Sequence, residues 1–423
     1  MTLLVLLATP LAGAGLVAAA GRRADALHVA TALATAAGAG ALAVQVGHSG
    51  MVAAPGWGLG ADALSAFMAV MVAGIALVAA VGVPAYLRAE QAAGRLAAAR
   101  ARAFRPLFHL FVFTMLLAVT TDNAGLVWVA VEGTTLASVF LITLERTRAS
   151  LEAAYKYLLI CSVGIALALL GNFFLAAAAS GHDGAPVRLA VPDLLREART
   201  LDVAWLKAAF LLLLVGYGTK MGLAPLHTWL PDAHSEAPSV VSALLSGALL
   251  NCALLGILRA QQVCAAAGQA AFGQGLLVGF GLLSMAVAAV FVTGQSDYKR
   301  MLAYSSVEHM GILTLGIGLG GAGVFGGMLH AVNHSLTKAA LYQGRAVVAI
   351  AYLAFLAVVF VGMATAVLGM AQGPATTGDA PPRRERLLAV VPAGALAALF
   401  LLLGVYIPPV VRSAVEEAAR ALG

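Results

Sequence analysis

Long apolar runs separated by short polar punctuation organise this chain. Thirteen such runs fall near 2–21, 26–46, 62–87, 106–121, 123–144, 155–178, 203–224, 239–258, 272–293, 301–319, 322–344, 346–371 and 387–408. Most reach the roughly 20 residues a helix needs to cross the hydrocarbon of a bilayer. Small residues run through all of them, which suits close packing of helix on helix in lipid. Two polar stretches predict something else. LLREART, within 179–202, predicts a short surface helix, and RAEQAAGRLAAARARAFR at 88–105 predicts a basic amphipathic stretch lying on the membrane.

Composition agrees. The chain has 423 residues, 61% hydrophobic and 10% charged, with mean hydropathy +0.94. A soluble domain carries roughly 25% charged residues, so the expectation is an all-α, polytopic membrane helix bundle. The net charge of +6 then reports topology rather than nucleic-acid binding. Cys161, Cys252 and Cys264 lie far apart without ligand spacing and read as small apolar fillers, not as a metal site or a disulfide framework. The first run has no basic stretch before it and reads as a membrane helix rather than a cleaved signal. GAGLVA at 13–18 follows no strand and carries no dinucleotide site.

Loop charges orient the bundle. Arg22 and Arg23, Arg88 to Arg105, Arg146, Arg148 and Lys156, and Lys299 with Arg300 follow the first, third, fifth and ninth runs. All fall on one side, the cytoplasmic one, if the N-terminus is outside. By the same count the basic loop PPRRER (381–386) lands outside, against the rule.

The charges that are not at run ends are the informative ones. Glu132 lies within LVWVAVEGTTLASVF and Lys220 deep in the seventh run. His330, His334 and Lys338 recur at i, i+4 and i+8, so they share one helix face and span about 12 Å of depth at 1.5 Å per residue. Glu308 and His309 open the tenth run. A charge at mid-bilayer costs at least about 2.5–3.5 kcal/mol, so such groups face a bundle interior or a water-filled path. The competing readings are a structural ion pair for Glu132 and Lys220, packing histidines at 330 and 334, and an interfacial cap at 308 and 309. Asp122, Asp232 and His234 read as loop or cap residues, with His227 and His234 kept as further pathway candidates.

Pro225 explains the company Lys220 keeps. It lacks an N–H and clashes with the carbonyl of Met221, so the helix must break. Freed carbonyls at a half-helix end favour a cation. Gly216, Gly218 and Gly222 supply the freedom and close approach such a break needs. Broken helices at mid-membrane are where transporters place ion sites.

These residues carry a resemblance. KMGLAPLHTWLPDAHSEAPSVVSALLSGALLNCALL, DYKRMLAYSSVEHMGIL and HAVNHSLTKAALY resemble the proton-translocating, antiporter-like membrane subunits of respiratory complex I, cation/proton antiporters and membrane-bound hydrogenases, with the wording most similar to the component F branch of hydrogenase-4. The likeness runs from about 60 to 345 and more weakly from 350 onward. It implies two inverted helix bundles, each with a broken helix, around a polar axis: 1–105 N-terminal helices, 106–260 a first bundle, 261–345 an incomplete second one, 346–423 C-terminal helices. Glu132 matches the family's glutamate, Lys220 the lysine of the first broken helix, and His330, His334 and Lys338 the central relay. The lysine many relatives carry on the eighth helix is missing, which leaves Asn251, Ser246 or water as the stepping stone. The second broken helix is also missing after LYQGR, so either it is lost or the last two runs are inverted.

The resemblance implies a proton-translocating subunit of a redox-driven complex in a bacterial or archaeal cytoplasmic (inner) membrane. It would hold no cofactor or metal itself. A NiFe centre and Fe–S clusters would belong to peripheral hydrogenase or quinone-reactive partners, beside further membrane-arm subunits. A gradient-driven cation/proton antiporter subunit and a non-conducting spacer are the alternatives.

Overall fold

The computed structural model describes residues 1–54, 56–180, 189–342 and 407–420. The expectations for 346–371, 387–408, the PPRRER loop and the second broken helix lie outside these residues. Among the described residues, nine helical stretches are long and apolar enough to cross a membrane. α1 (Thr2–Ala19) and α2 (Ala24–Ser49) lead into a two-stranded antiparallel hairpin, β1 (Val52–Ala54) with β2 (Leu59–Ala61), in the register Val52↔Ala61. The hairpin is the described chain's small departure from an all-helical reading. α3 (Ala63–Ala92), α4 (Ala98–Thr120), α5 (Ala124–Ile142) and α6 (Arg148–Ala179) follow as antiparallel neighbours. Short loops suffice because polar residues start these helices. Asp62 accepts from the Ser65 N–H, Asn123 from Leu126 and Thr147 from Ser150, each satisfying a backbone donor the helix leaves orphaned.

The expected surface segment at 88–105 is not separate. Its residues are the last turns of α3, a turn at 93–97 and the first turns of α4. Its arginines explain why: they have partners close by. Arg88 reaches Asp25 at 3.2 Å, Arg105 pairs with the same carboxylate, Arg95 holds Glu90 at 2.6 Å and Arg100 donates to the Glu145 carbonyl at 3.0 Å. Pinned to neighbouring helix ends, the stretch is not released to lie along a surface. LLREART does form the expected short helix, α7 (Val191–Arg196), with a 3₁₀ turn at Ala198–Thr200.

The seventh run is two pieces, as Pro225 requires. α8 (Val203–Met221) stops, and α9 (Trp229–Glu236) resumes after a seven-residue break. Glycine ends the helix before the proline is reached. Gly222 sits at φ +84° with its N–H on the Thr219 carbonyl, and the Leu223 N–H turns back to the Gly218 carbonyl at 2.8 Å. This pair of bonds closes a Schellman cap. Gly218 itself is helical and lies under the Leu223 side chain, while Gly216 lets α8 meet α6: a Cβ there would come within 2.6 Å of Ala168 N and Gly164 O. Beyond the break, Ala224 N donates to Ser284 Oγ at 3.0 Å on α12 (Ala270–Val292).

α10 (Ser239–Leu244), a π-turn (Leu245–Leu249) and α11 (Leu250–Ala266) form one span, its apolar middle wholly buried at the centre of the bundle. α13 (Tyr298–Leu319) and α14 (Ala322–Tyr342) flank it with the polar residues of the second half, and α15 (Pro409–Arg420) rests on α3 and α14. At the arginine-rich end, Asp232 binds Lys156 at 3.1 Å and Arg300 at 2.6 Å. At the other end, Arg259 grips Asp62 with both nitrogens, at 2.6 and 2.7 Å.

Gly222→Ala tests the break. An alanine there must hold a left-handed conformation and run into Leu230 Cδ1, so the loss is about 1–2 kcal/mol. The expected result is a lower thermal midpoint in detergent; an unchanged midpoint would show that α8 is ended by something other than this cap.

Candidate functional site

Lys220 occupies the last turn of α8 and is 0% exposed. A buried ammonium must find acceptors or lose its charge. It donates to Thr135 Oγ1 at 2.8 Å and to Tyr157 OH at 2.5 Å, and it lies 4.4 Å from the centre of the Tyr157 ring. Trp229, opening α9, packs against Tyr157 and returns its indole N–H to the Thr219 carbonyl at 2.8 Å. The break therefore supplies both the half-helix end that favours a cation and an aromatic wall beside it.

Glu132 is linked to Lys220 through Thr135. The threonine accepts from the ammonium and donates to Glu132 Oε2 at 3.3 Å, while Glu132 Oε1 accepts from Ser162 at 2.9 Å. Tyr157 OH also meets Ser138 Oγ at 2.6 Å, and Ser138 donates to the Thr134 carbonyl. Only the threonine branch ends on a group that takes up a proton. Cys161 and Cys252, both buried, lie within electrostatic reach of the same lysine.

A second cluster joins α13 to α14. His309 Nδ1 and His330 Nε2 are 2.9 Å apart, and the His309 ring centre is 5.3 Å from that of His334. Lys338, 1% exposed, donates to the Leu302 carbonyl at 2.8 Å, with Glu308 in electrostatic reach. Helix spacing gathered His330, His334 and Lys338; the fold adds His309 from the facing helix. His234, at the end of α9, is buried and stacks on Tyr342 at 5.0 Å, and His227 lies edge-on to Tyr304 at 6.2 Å. Asp122 sits against Gly60 in the hairpin. Asn251 and Ser246 face α14 and α13, reaching Ser335 and Ser306 at 2.8 Å each. Among the described residues no three His, Cys, Asp or Glu side chains gather as metal ligands do.

Sequence reasoning missed Thr135, Tyr157, Ser162 and Ser284. Thr135 was detectable three residues after Glu132, on the same helix face. Tyr157 was hidden by an α6 start placed near 155; the helix begins at Arg148, which carries Tyr157 well inside it.

Thr135→Val and Tyr157→Phe each strip a hydroxyl from a buried charge, and each lowers stability by about 1–3 kcal/mol. Repeated on a Lys220→Leu background, both losses should shrink, Tyr157→Phe more than Thr135→Val, because Thr135 still donates to Glu132. Additive losses in chemical unfolding would mean that the hydroxyls serve something else.

Comparison with known proteins gives a consistent picture. The model of a family described as NADH:quinone oxidoreductase/Mrp antiporter, transmembrane, matches residues 121–364. A hydrogenase-4 component F homolog of Methylacidiphilum infernorum is 42% identical over 259 residues, covering 61% of this chain and 54% of that protein. The chain spans about half the length of the curated relatives it matches. Subunits in the structures of an archaeal membrane-bound sulfane sulfur reductase and of the Mrp complex from Dietzia share the fold, with TM-scores of 0.82 and 0.81 at 20% identity. The first covers 99% of this chain and 97% of the solved one, the second 100% and 97%.

Proposed function

Because the chain belongs to the NADH:quinone oxidoreductase/Mrp antiporter transmembrane family, we propose that it carries protons along the polar axis from Glu132 to Lys338. It does so as a membrane subunit of a redox-driven complex, of the NiFe-hydrogenase or formate-hydrogenlyase type, with its arginine-rich end in the cytoplasm and its N-terminus outside. It performs no covalent chemistry. A NiFe centre and Fe–S clusters sit in peripheral partners, and other membrane-arm subunits continue the path.

The observation that carries this reading is the directed chain from Lys220 through Thr135 to Glu132. As Thr135 gives its hydroxyl proton to the carboxylate, it takes one from the ammonium. The ion pair becomes a neutral amine and a carboxylic acid, with threonine unchanged. Burial favours the neutral pair, and a positive charge arriving in the second cluster disfavours the Lys220 ammonium further, so it drives the proton toward Glu132. His309, His330, His334 and Lys338 are the groups that take up that charge.

In vesicles holding the intact complex, Lys220→Ala or Glu132→Ala should lower pumping by at least about a hundredfold, the scale of a lost proton-transfer group, while assembly persists. Lys220→Arg should fail too, since a guanidinium does not release its proton near neutral pH. His334→Ala and Lys338→Ala should each slow transfer. Full pumping by the arginine variant would end the switching role, and full pumping without His334 and Lys338 would make those residues packing. Mass spectrometry of the purified complex tests the partners: a set of membrane subunits alone, with sodium-coupled transport, would replace the hydrogenase assignment by an antiporter.

A further inference from the structure

One span, Ser239–Ala266, stands between the two titratable clusters. Cys252 lies within electrostatic reach of Lys220, and its neighbour Asn251 bonds to α14, so a single turn of α11 separates the lysine from the second cluster's helix. The hydrogen bonds that join this span to α13 and α14 end on inert atoms. Asn251 gives both amide protons away, to the Gly247 carbonyl at 3.0 Å and to Ser335 Oγ at 2.8 Å. Ser335 gives its proton to Met71 Sδ at 3.8 Å, a thioether with none to pass on. Nearer the arginine-rich end, Ser246 meets Ser306, which donates to the Leu302 carbonyl at 3.0 Å, another terminal acceptor. The chain from Lys220 ends on a carboxylate; neither of these does.

Resting on the proton-carrying reading above, we infer that Asn251 and Ser335 form a gate that insulates the Lys220 cluster from the His309–His330–His334–Lys338 cluster. Asparagine holds no titratable proton, so conduction past it needs water, and Asn251 Oδ1, buried without a partner among the described residues, offers an entering water its acceptor. The hinge lies next to it. The π-turn Leu245–Leu249 carries a wider backbone loop than its flanks, a feature frequent at functional sites. Gly247 in that turn lies against α14, where a Cβ would come within 3.0 Å of the Ser335 carbonyl. The turn thus touches both the backbone and, through Asn251, the hydroxyl of one residue. Returning it to α-helical pitch rotates Asn251 away from Ser335 and opens the gap.

The test uses the intact complex in liposomes, with passive proton leak measured without electron donor and pumping measured with it. Asn251→Asp places a titratable carboxyl in the gap, so leak should rise at least about tenfold, a barrier change of about 1.4 kcal/mol. Adding Lys220→Ala to the same chain should remove that leak. Asn251→Leu should assemble, stay tight and stop pumping, because no water can enter. Ser335→Ala, a smaller change, should raise leak in the same direction should the aspartate variant not assemble. Wild-type pumping by Asn251→Leu, or wild-type leak in whichever of Asn251→Asp and Ser335→Ala assembles, would overturn the gate. Wild-type pumping by Lys220→Ala alone would instead remove the proton-carrying reading beneath it.

Discussion

A single buried ammonium sets the terms of this fold. Lys220 is wholly buried, so the protein gives it what a cation needs: two hydroxyls and an aromatic face, in the last turn of a half-helix. The half-helix end exists only because α8 stops at Gly222, and the aromatic wall is completed by Trp229 because α9 begins just past the break. Removing the break would carry the chain straight through and leave the charge against apolar neighbours, an arrangement lipid does not tolerate.

The polar residues away from the axis hold the bundle's two ends. At the arginine-rich end Asp25 ties α3 and α4 to α2, and Lys299 donates to the Ser235 and Ala237 carbonyls where α9 runs out. At the opposite end Arg259 locks α11 to the Asp62 cap of α3. Between these ends glycines let backbones approach closely, as Gly216 does between α8 and α6 and Gly281 and Gly311 do between α12 and α13.

Much of this was legible in the sequence, and the reason is physical. Hydrophobic length marks a membrane helix almost independently of context, and a charge within such a run is costly enough to signal its own importance. Lys220, Glu132 and the i, i+4, i+8 residues of α14 were therefore readable. Hydroxyls were not. Thr135, Tyr157 and Ser335 are common in membrane helices, and what sets them apart is the residue they face on another helix, which periodicity within one run does not encode. Arg88 to Arg105 misled for the same reason: basic residues in a row suggest a surface, and only the fold shows Asp25, Glu90 and the Glu145 carbonyl already waiting for them.

Asp232 has a mechanical consequence. One carboxylate oxygen holds Lys156 of α6, the helix that supplies Tyr157, and the other holds Arg300 of α13, the helix that supplies His309. The segment after the break is thus a strut clamped between the two halves of the axis. It cannot lean toward one half without loosening its grip on the other. Any shift of one half against the other is therefore felt first at this one carboxylate, which both halves share.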